Sequence, residues 1–199
     1  MTHWFTADPH IGHKTAKGNI IELCNRPFRY IEEMDRVLFG FWQDLLRSGD
    51  TFYILGDIAL NKPHAIRALD KIPRGVQVHY IFGNHDESHK KHIDRHKRVV
   101  WSGDLKSIKI QNQYIVLCHY SMRTWKNNHY GSWQLFGHSH GSIHPWDRQL
   151  DVGVDSAAKL VGEYRPMSFE EIARFIADGM NPKFLAQQFG KSPCWVGSG

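Results

Sequence analysis

A chain of 199 residues, 41% hydrophobic and 23% charged, has ordinary globular composition, which excludes a disordered, collagenous or coiled-coil protein. Its 25 lysines and arginines against 20 acids give a net charge of +5, a lean toward anionic partners that does not single out nucleic acid. Cys24, Cys118 and Cys194 are too few and too scattered for a disulfide framework or a thiolate zinc site, and they point to a reducing, cytoplasmic setting. No basic stretch runs into an apolar one at the start, and no segment approaches the ~18 apolar residues of a membrane span, so neither a signal peptide nor a membrane helix is expected.

In chain order, residues 2–7 are β-rich and stop at the turn-forming pair Asp8-Pro9. The stretch 16–24 has the make-up of a short packing helix. From Ile31 the apolar residues Met34, Val37, Leu38, Phe41, Trp42, Leu45 and Leu46 recur every three or four positions, with Glu32, Glu33 and Asp35 in the first turns, which predicts a helix. Residues 51–55 read as a buried strand running into Gly56-Asp57, 63–71 as a helix, and 76–82 as a second strand running into Gly83-Asn84-His85-Asp86. Strand, helix, strand implies a parallel pair covered by helices. A helical segment to His96 follows, and then a hairpin of 107–110 and 114–118 that ends at His119. Residues 134–136 lead into Gly137-His138-Ser139-His140, and 149–154 alternate like a further strand. Ser168 with Glu171 forms a capping box ahead of a last helix. One domain over 1–196 is expected, with 197–199 a linker or tag remnant.

Fourteen histidines are the loudest compositional signal, and several cluster. Five predicted strand ends are followed at once by metal-capable residues: Asp8 and His10, Asp57, Asn84 with His85, His119, and His138 with His140. Ligands of α/β sheets bind beyond the carboxyl ends of the strands, so these residues should share one pocket. Residues two apart in extended chain point the same way, so Asp8 and His10 can grip one ion, and so can His138 and His140. Cys118 then points away from His119 and reads as a buried core thiol. Imidazoles, carboxylates and one amide suit manganese, iron, nickel, cobalt or zinc and are too nitrogen-rich for calcium or magnesium alone. The set exceeds what one ion needs. Two ions, which in dinuclear sites lie roughly 3.5–4 Å apart, require a bridging carboxylate, for which Asp57 is the candidate.

Asp8-Pro9-His10, Gly56-Asp57, Gly83-Asn84-His85-Asp86, His119 and Gly137-His138-Ser139-His140 resemble, in that order, the five signature blocks of the calcineurin-like metallophosphoesterase superfamily. Gly12-His13, Asn25-Arg26-Pro27-Phe28 and Leu150-Asp151-Val152-Gly153-Val154-Asp155 are similar to a small bacterial and phage branch of it. The resemblance implies an α/β fold, a four-layer αββα sandwich of two mixed β-sheets packed face to face with helices outside. It implies one ion held by Asp8, His10, Asp57 and His140 and another by Asp57, Asn84, His119 and His138, with manganese favoured. A bridging hydroxide would then attack a phosphodiester in line. His85 matches the family's proton donor, with Asp86 beside it, and it would give its proton if Asp86 holds its other nitrogen. The Asp-Arg-Gly continuation of the protein Ser/Thr phosphatases is replaced by Asp57-Ile58-Ala59, which argues against protein phosphatase activity.

Four further residues are candidate substrate contacts. Arg123 and Trp125 can clamp a phosphate and stack on a base, or lie on a surface loop and pack beneath it. His13 and Arg26 carry the same two readings. His89, His92 and His96, with Lys90, Lys91, Arg95, Lys97 and Arg98, read as a solvated basic helix face. The expected function is metal-dependent phosphodiester hydrolysis acting on a small anionic phosphate ester, with no membrane partner. The alternatives are a phosphomonoesterase, a nuclease that uses the basic face, and a metal-poor protein-binding scaffold, the last opposed by the filled ligand positions.

Overall fold

The structure, a computed structural model, describes residues 1–143 and 147–178. His144, Cys194 and the expected remnant 197–199 lie outside the described residues. In chain order the elements are β1 (His3–Thr6), β2 (Lys14–Thr15), β3 (Gly18–Asn19), α1 (Ile20–Cys24), α2 (Ile31–Leu45), β4 (Thr51–Leu55), α3 (Lys62–Lys71), β5 (Gln77–Ile81), α4 (Lys90–Asp94), β6 (Val99–Gly103), β7 (Leu105–Ile110), β8 (Gln113–Cys118), β9 (Trp133–Phe136), β10 (Gln149–Asp151), α5 (Val154–Val161), β11 (Met167–Ser168) and α6 (Phe169–Asp178).

Two mixed sheets form an α/β sandwich. The first runs β11-β1-β4-β5-β6, all parallel except β11, and the second runs β10-β9-β8-β7, parallel except at the β7–β8 hairpin. The expected crossover is present, with β4 and β5 parallel around α3 and Phe52 and Ile54 in register with Val78 and Tyr80. Strand alternation sorts the core into two layers. Phe52, Ile54, Val78 and Tyr80 turn toward Met34, Leu38 and Trp42 of α2 and Ala65, Ala68 and Leu69 of α3. Tyr53, Leu55 and Ile81 turn the other way, onto Ile115, Leu117, Leu135 and Leu150 of the second sheet. Each fully buried large apolar side chain contributes roughly 1.5–3 kcal/mol, so the strands are held from both faces. The helices begin where their caps say. Asn61 accepts the His64 N–H at 3.1 Å ahead of α3, and Ser168 and Glu171 complete their capping box at 2.9 and 3.2 Å ahead of α6.

Several expectations need correction. The strand expected over 149–154 ends at Asp151, because the Asp151 carboxylate accepts the Gly153 N–H at 2.7 Å and turns the chain into α5. The helix expected over 16–24 is confined to Ile20–Cys24 and is preceded by the small hairpin of β2 and β3, and residue spacing gives no sign of that hairpin or of β6 and β11. β6 is a half-buried edge whose side chains show no clear alternation, and β11 has two residues. The helix expected up to His96 is one 3₁₀ turn, Glu87–His89, followed by the short α4. Among the described residues no helix is long and apolar enough to cross a membrane.

The sheets meet where the site lies. Ala7 pairs with Gly153 just beyond β1 and β10, and the Val154 N–H donates to the Ala7 carbonyl at 3.0 Å. Gly137 makes that seam possible, since a Cβ there would stand 2.4 Å from the Ala7 Cβ and 2.6 Å from Asp8 Oδ2.

Candidate metal centre

Strands β1, β4 and β5 are parallel, so the loops that follow them leave the same edge. Backbone hydrogen bonds tie these loops together, from Asp8 N–H to the Gly56 carbonyl at 3.1 Å and from His10 N–H to the Asp57 carbonyl at 3.2 Å. The loop after β9 is drawn in by Gly137 N–H on the His119 carbonyl at 2.9 Å. The backbone here is strained. Asp8, His10, Asp57, His138 and His140 have φ of +56°, +51°, +55°, +65° and +48°, a conformation that costs a non-glycine residue on the order of 1–2 kcal/mol. Such strain persists only where the surroundings over-determine it, and it concentrates at functional sites.

The expected ligands converge in two groups. Ligand atoms of Asp8, His10 and His140 lie within 4.8 Å of one another, and so do those of Asp57, His119 and His138. Asp57 Oδ2 stands between the groups, 3.9 Å from His10 Nε2 and 3.4 Å from His119 Nε2. The Asn84 amide oxygen lies 3.1 Å from the same His119 nitrogen. The rings are also held as a cation needs. His119 Nδ1 donates to the Leu55 carbonyl at 2.7 Å and His140 Nδ1 to Asp155 Oδ2 at 2.7 Å, which leaves each Nε2 as the nitrogen that would give up its proton to a metal. Asp8 Oδ1 and His10 Nε2 are buried without a hydrogen-bond partner, a costly arrangement that a bound cation would relieve. The donor set therefore fits divalent metal.

Electrostatics agrees with that fit. Burial raises the Asp8 carboxyl to about 7, against the lowering pull of His119 and His140. Burial also works to raise Asp57, but the His119 hydrogen bond and neighbouring charges outweigh it and hold this carboxyl below its ordinary value. Burial opposes protonation of His119 and His140, yet Asp57 and Asp8 lift the first to about 9, and hydrogen bonds to Asp155 and Cys24, with the Asp8 charge, lift the second to about 10. Burial, reinforced by the Arg26 charge, holds His10 well below its ordinary value. Protons thus occupy positions that cations would take. The floor of the site is closed, with Asp8, His10, Asp57 and His119 at most 2% exposed, whereas Asn84, His85 and His138 form an exposed rim.

The other expected site residues divide. His85 stands at the rim with Nε2 3.9 Å from Asp57 Oδ2, and its N–H donates to Asp57 Oδ1 at 2.9 Å. Asp86 does not hold it. The buried Asp86 carboxylate accepts the Asp57 and Gly83 N–H groups at 3.0 and 2.8 Å and the Tyr80 hydroxyl at 3.0 Å, which organises the loops after β4 and β5. His13 is buried behind His10, Nδ1 to Nδ1 at 3.1 Å, and Arg26 is buried against Asp155, so neither faces a substrate. Trp125 is packed, its indole N–H on the Ser132 carbonyl at 3.1 Å, while Arg123 is exposed. His89 is not on a solvated face. It is 1% exposed, with Nε2 3.5 Å from Asp86 Oδ1. Cys118 is half-buried rather than enclosed. Asp151 and Asp155, which the sequence offers only as part of the block 150–155, and Tyr80 also serve the site, Asp155 on His140 Nδ1, Asp151 on the Gly141 N–H and Tyr80 on Asp86.

No family model matches the chain. An uncharacterized protein of Methanocaldococcus jannaschii is 29% identical over 184 residues, 88% of this chain and 92% of its own. The gene 66 protein of Mycobacterium phage L5 is 30% identical over 188 residues, 79% of this chain and 88% of its own. Among solved structures, a protein of unknown function from Aquifex aeolicus superposes with a TM-score of 0.63 at 22% identity, over 88% of this chain and 99% of its own, a likeness of fold. A phosphoesterase from E. coli reaches a TM-score of 0.42 at 16% identity, over 77% of this chain and 79% of its own, too weak a likeness to carry an argument.

Proposed function

For a chain that belongs to the same family as the gene 66 protein of Mycobacterium phage L5, we propose divalent-metal-dependent hydrolysis of phosphate esters, diesters first. The observation that carries this reading is the meeting of two ligand groups at one carboxylate oxygen, Asp57 Oδ2, beside the unpartnered Asp8 Oδ1 and His10 Nε2. Asp8, His10, Asp57 and His140 would hold one ion, and Asp57, Asn84, His119 and His138 the other. Ions so placed supply positive charge to phosphate oxygens and acidify water near neutral pH.

The chain's own residues provide the rest. The closed floor keeps water from the carboxylates, and the exposed rim of Asn84, His85 and His138 admits an ester from one side. His85 is the rim imidazole that gives a proton to the departing alkoxide. Preference for a diester follows from charge. Two ions would bring +4 against −2 from Asp8 and Asp57 and −1 from the attacking hydroxide, so a diester monoanion would neutralise the site and a monoester dianion would overshoot it, and the guanidinium of Arg26 is occupied by Asp155, so it adds no counter-charge for the dianion. The test is metal analysis of the purified protein together with kcat/KM for bis(p-nitrophenyl) phosphate and p-nitrophenyl phosphate in manganese. Bound ions and a higher value for the diester are expected. A monoester preference that Arg123→Ala removes would assign the clamp to Arg123 and overturn the diester reading.

A further inference from the structure

Two segments outside the five ligand blocks, 25–28 and 150–155, converge beneath one half of the site. The Arg26 guanidinium lies against both oxygens of Asp155 at 2.8 Å, through Nε and Nη2. Its remaining donors reach the Asp8 carbonyl at 2.8 Å, the Pro9 carbonyl at 3.0 Å and Met34 Sδ at 3.3 Å. Every N–H of the fork therefore has an acceptor. Asp155 Oδ2 accepts in turn from His140 Nδ1 at 2.7 Å, so one buried ion pair grips the loop that carries Asp8 and His10 and the ring of His140 together. Asp151 supports the same ring from the backbone side, accepting the Gly141 N–H at 3.0 Å and the Ser139 hydroxyl.

The other group is supported elsewhere. His119 is fixed by the Leu55 carbonyl, and the Asp57 backbone is held by Asp86. No hydrogen bond among the described residues joins Arg26 or Asp155 to the side chains of Asp57, Asn84, His119 or His138.

We propose that Arg26 and Asp155 are positioning residues for one ion alone, the one held by Asp8, His10 and His140, so that the two ion positions have separately set affinities. This rests on the reading of the site as a two-ion centre. A carboxylate behind a ligating imidazole fixes its tautomer and raises its basicity, and loss of such a partner typically weakens metal binding about 10- to 100-fold. The planar fork of arginine is needed because it meets a carboxylate and two carbonyls at once, which the single ammonium of lysine cannot do.

The experiment is a calorimetric titration of Mn²⁺ into the ion-free wild type, Arg26→Lys, and the double variant Arg26→Met/Asp155→Leu, followed by electron paramagnetic resonance. The double variant leaves no unpaired buried charge and carries the test should Arg26→Lys fail to fold. Wild type is expected to bind two ions with a coupled-pair spectrum. The variants should keep one ion at wild-type affinity, weaken the other about 10- to 100-fold, and show the spectrum of an isolated ion at limiting metal. Adding His119→Ala to either variant should then remove the remaining ion, and adding His10→Ala should not. Variants that bind both ions as wild type does, or that lose both equally, would overturn the selective clamp. A wild type that takes up no ion would overturn the two-ion centre and the clamp with it.

Discussion

His85 and its neighbour Asp86 show how adjacent residues divide between an exposed rim and buried scaffolding. The His85 side chain is 45% exposed at the rim, while the Asp86 side chain is fully buried and holds two loop amides and the Tyr80 hydroxyl. Their separation follows from the turn after β5, which folds Asp86 back under the loop onto the Asp57 and Gly83 amides and leaves Asn84 and His85 at the rim. The two residues should therefore fail differently. His85→Ala is expected to keep its metal content while turnover falls about 10²- to 10⁴-fold for alkoxide leaving groups, with a much smaller loss for nitrophenolate, which departs without a proton. Metal analysis and a leaving-group series check this, and an equal loss across the series would remove His85 from the proton-donor role.

Long amphipathic elements and capped ends could be read directly from residue spacing. The 31–45 helix has Met34, Leu38 and Trp42 on one buried stripe, and the 169–178 helix opens on its capping box. The edge strands 99–103 and 167–168 could not be read, because an edge strand gains its identity from the neighbour it pairs with rather than from its own alternation. The seam between the sheets is set in the same way. Gly137 has no positive φ to explain it; what excludes a side chain is the approach of Ala7 and Asp8. Gly137→Ala should force the two sheets apart locally and destabilise the fold by roughly 1–3 kcal/mol. Denaturant unfolding would measure that, with a loss of metal affinity expected alongside, since Asp8 Oδ2 accepts the His138 N–H at 2.7 Å across the same seam.

Across the whole molecule the site burdens the fold when no ion is present. His119 and His140, raised from 6.5 to about 9 and about 10, contribute stability that is fully present below about pH 6.5 and lost as pH rises through those values. Asp8, raised from 3.8 to about 7, acts in the same direction, since its protonated form is favoured and the stability it brings fades as pH rises toward about 7. The ion-free protein should therefore lose Tm between about pH 6 and about pH 8.5, and added Mn²⁺ should raise Tm more at the higher value, because cations replace the departing protons. A thermal melt with chelator and with metal at both pH values checks the sign. An equal metal-induced gain at both would mean that these groups are not the ligands.

Residue order alone determined which side chains could hold metal. Each ligand block sits directly after a run of strand-forming residues, and parallel strands must release their loops at one edge, so the convergence of Asp8, Asp57, Asn84, His119 and the histidine pair follows from the chain itself. Tertiary structure alone decided what lies behind them. Arg26 and Asp155 are 129 positions apart and meet only because the two sheets join beyond β1 and β10. A buried guanidinium and an exposed one are the same residue in a sequence, and only the surrounding low-dielectric packing makes one a clamp and leaves the other free for solvent or substrate.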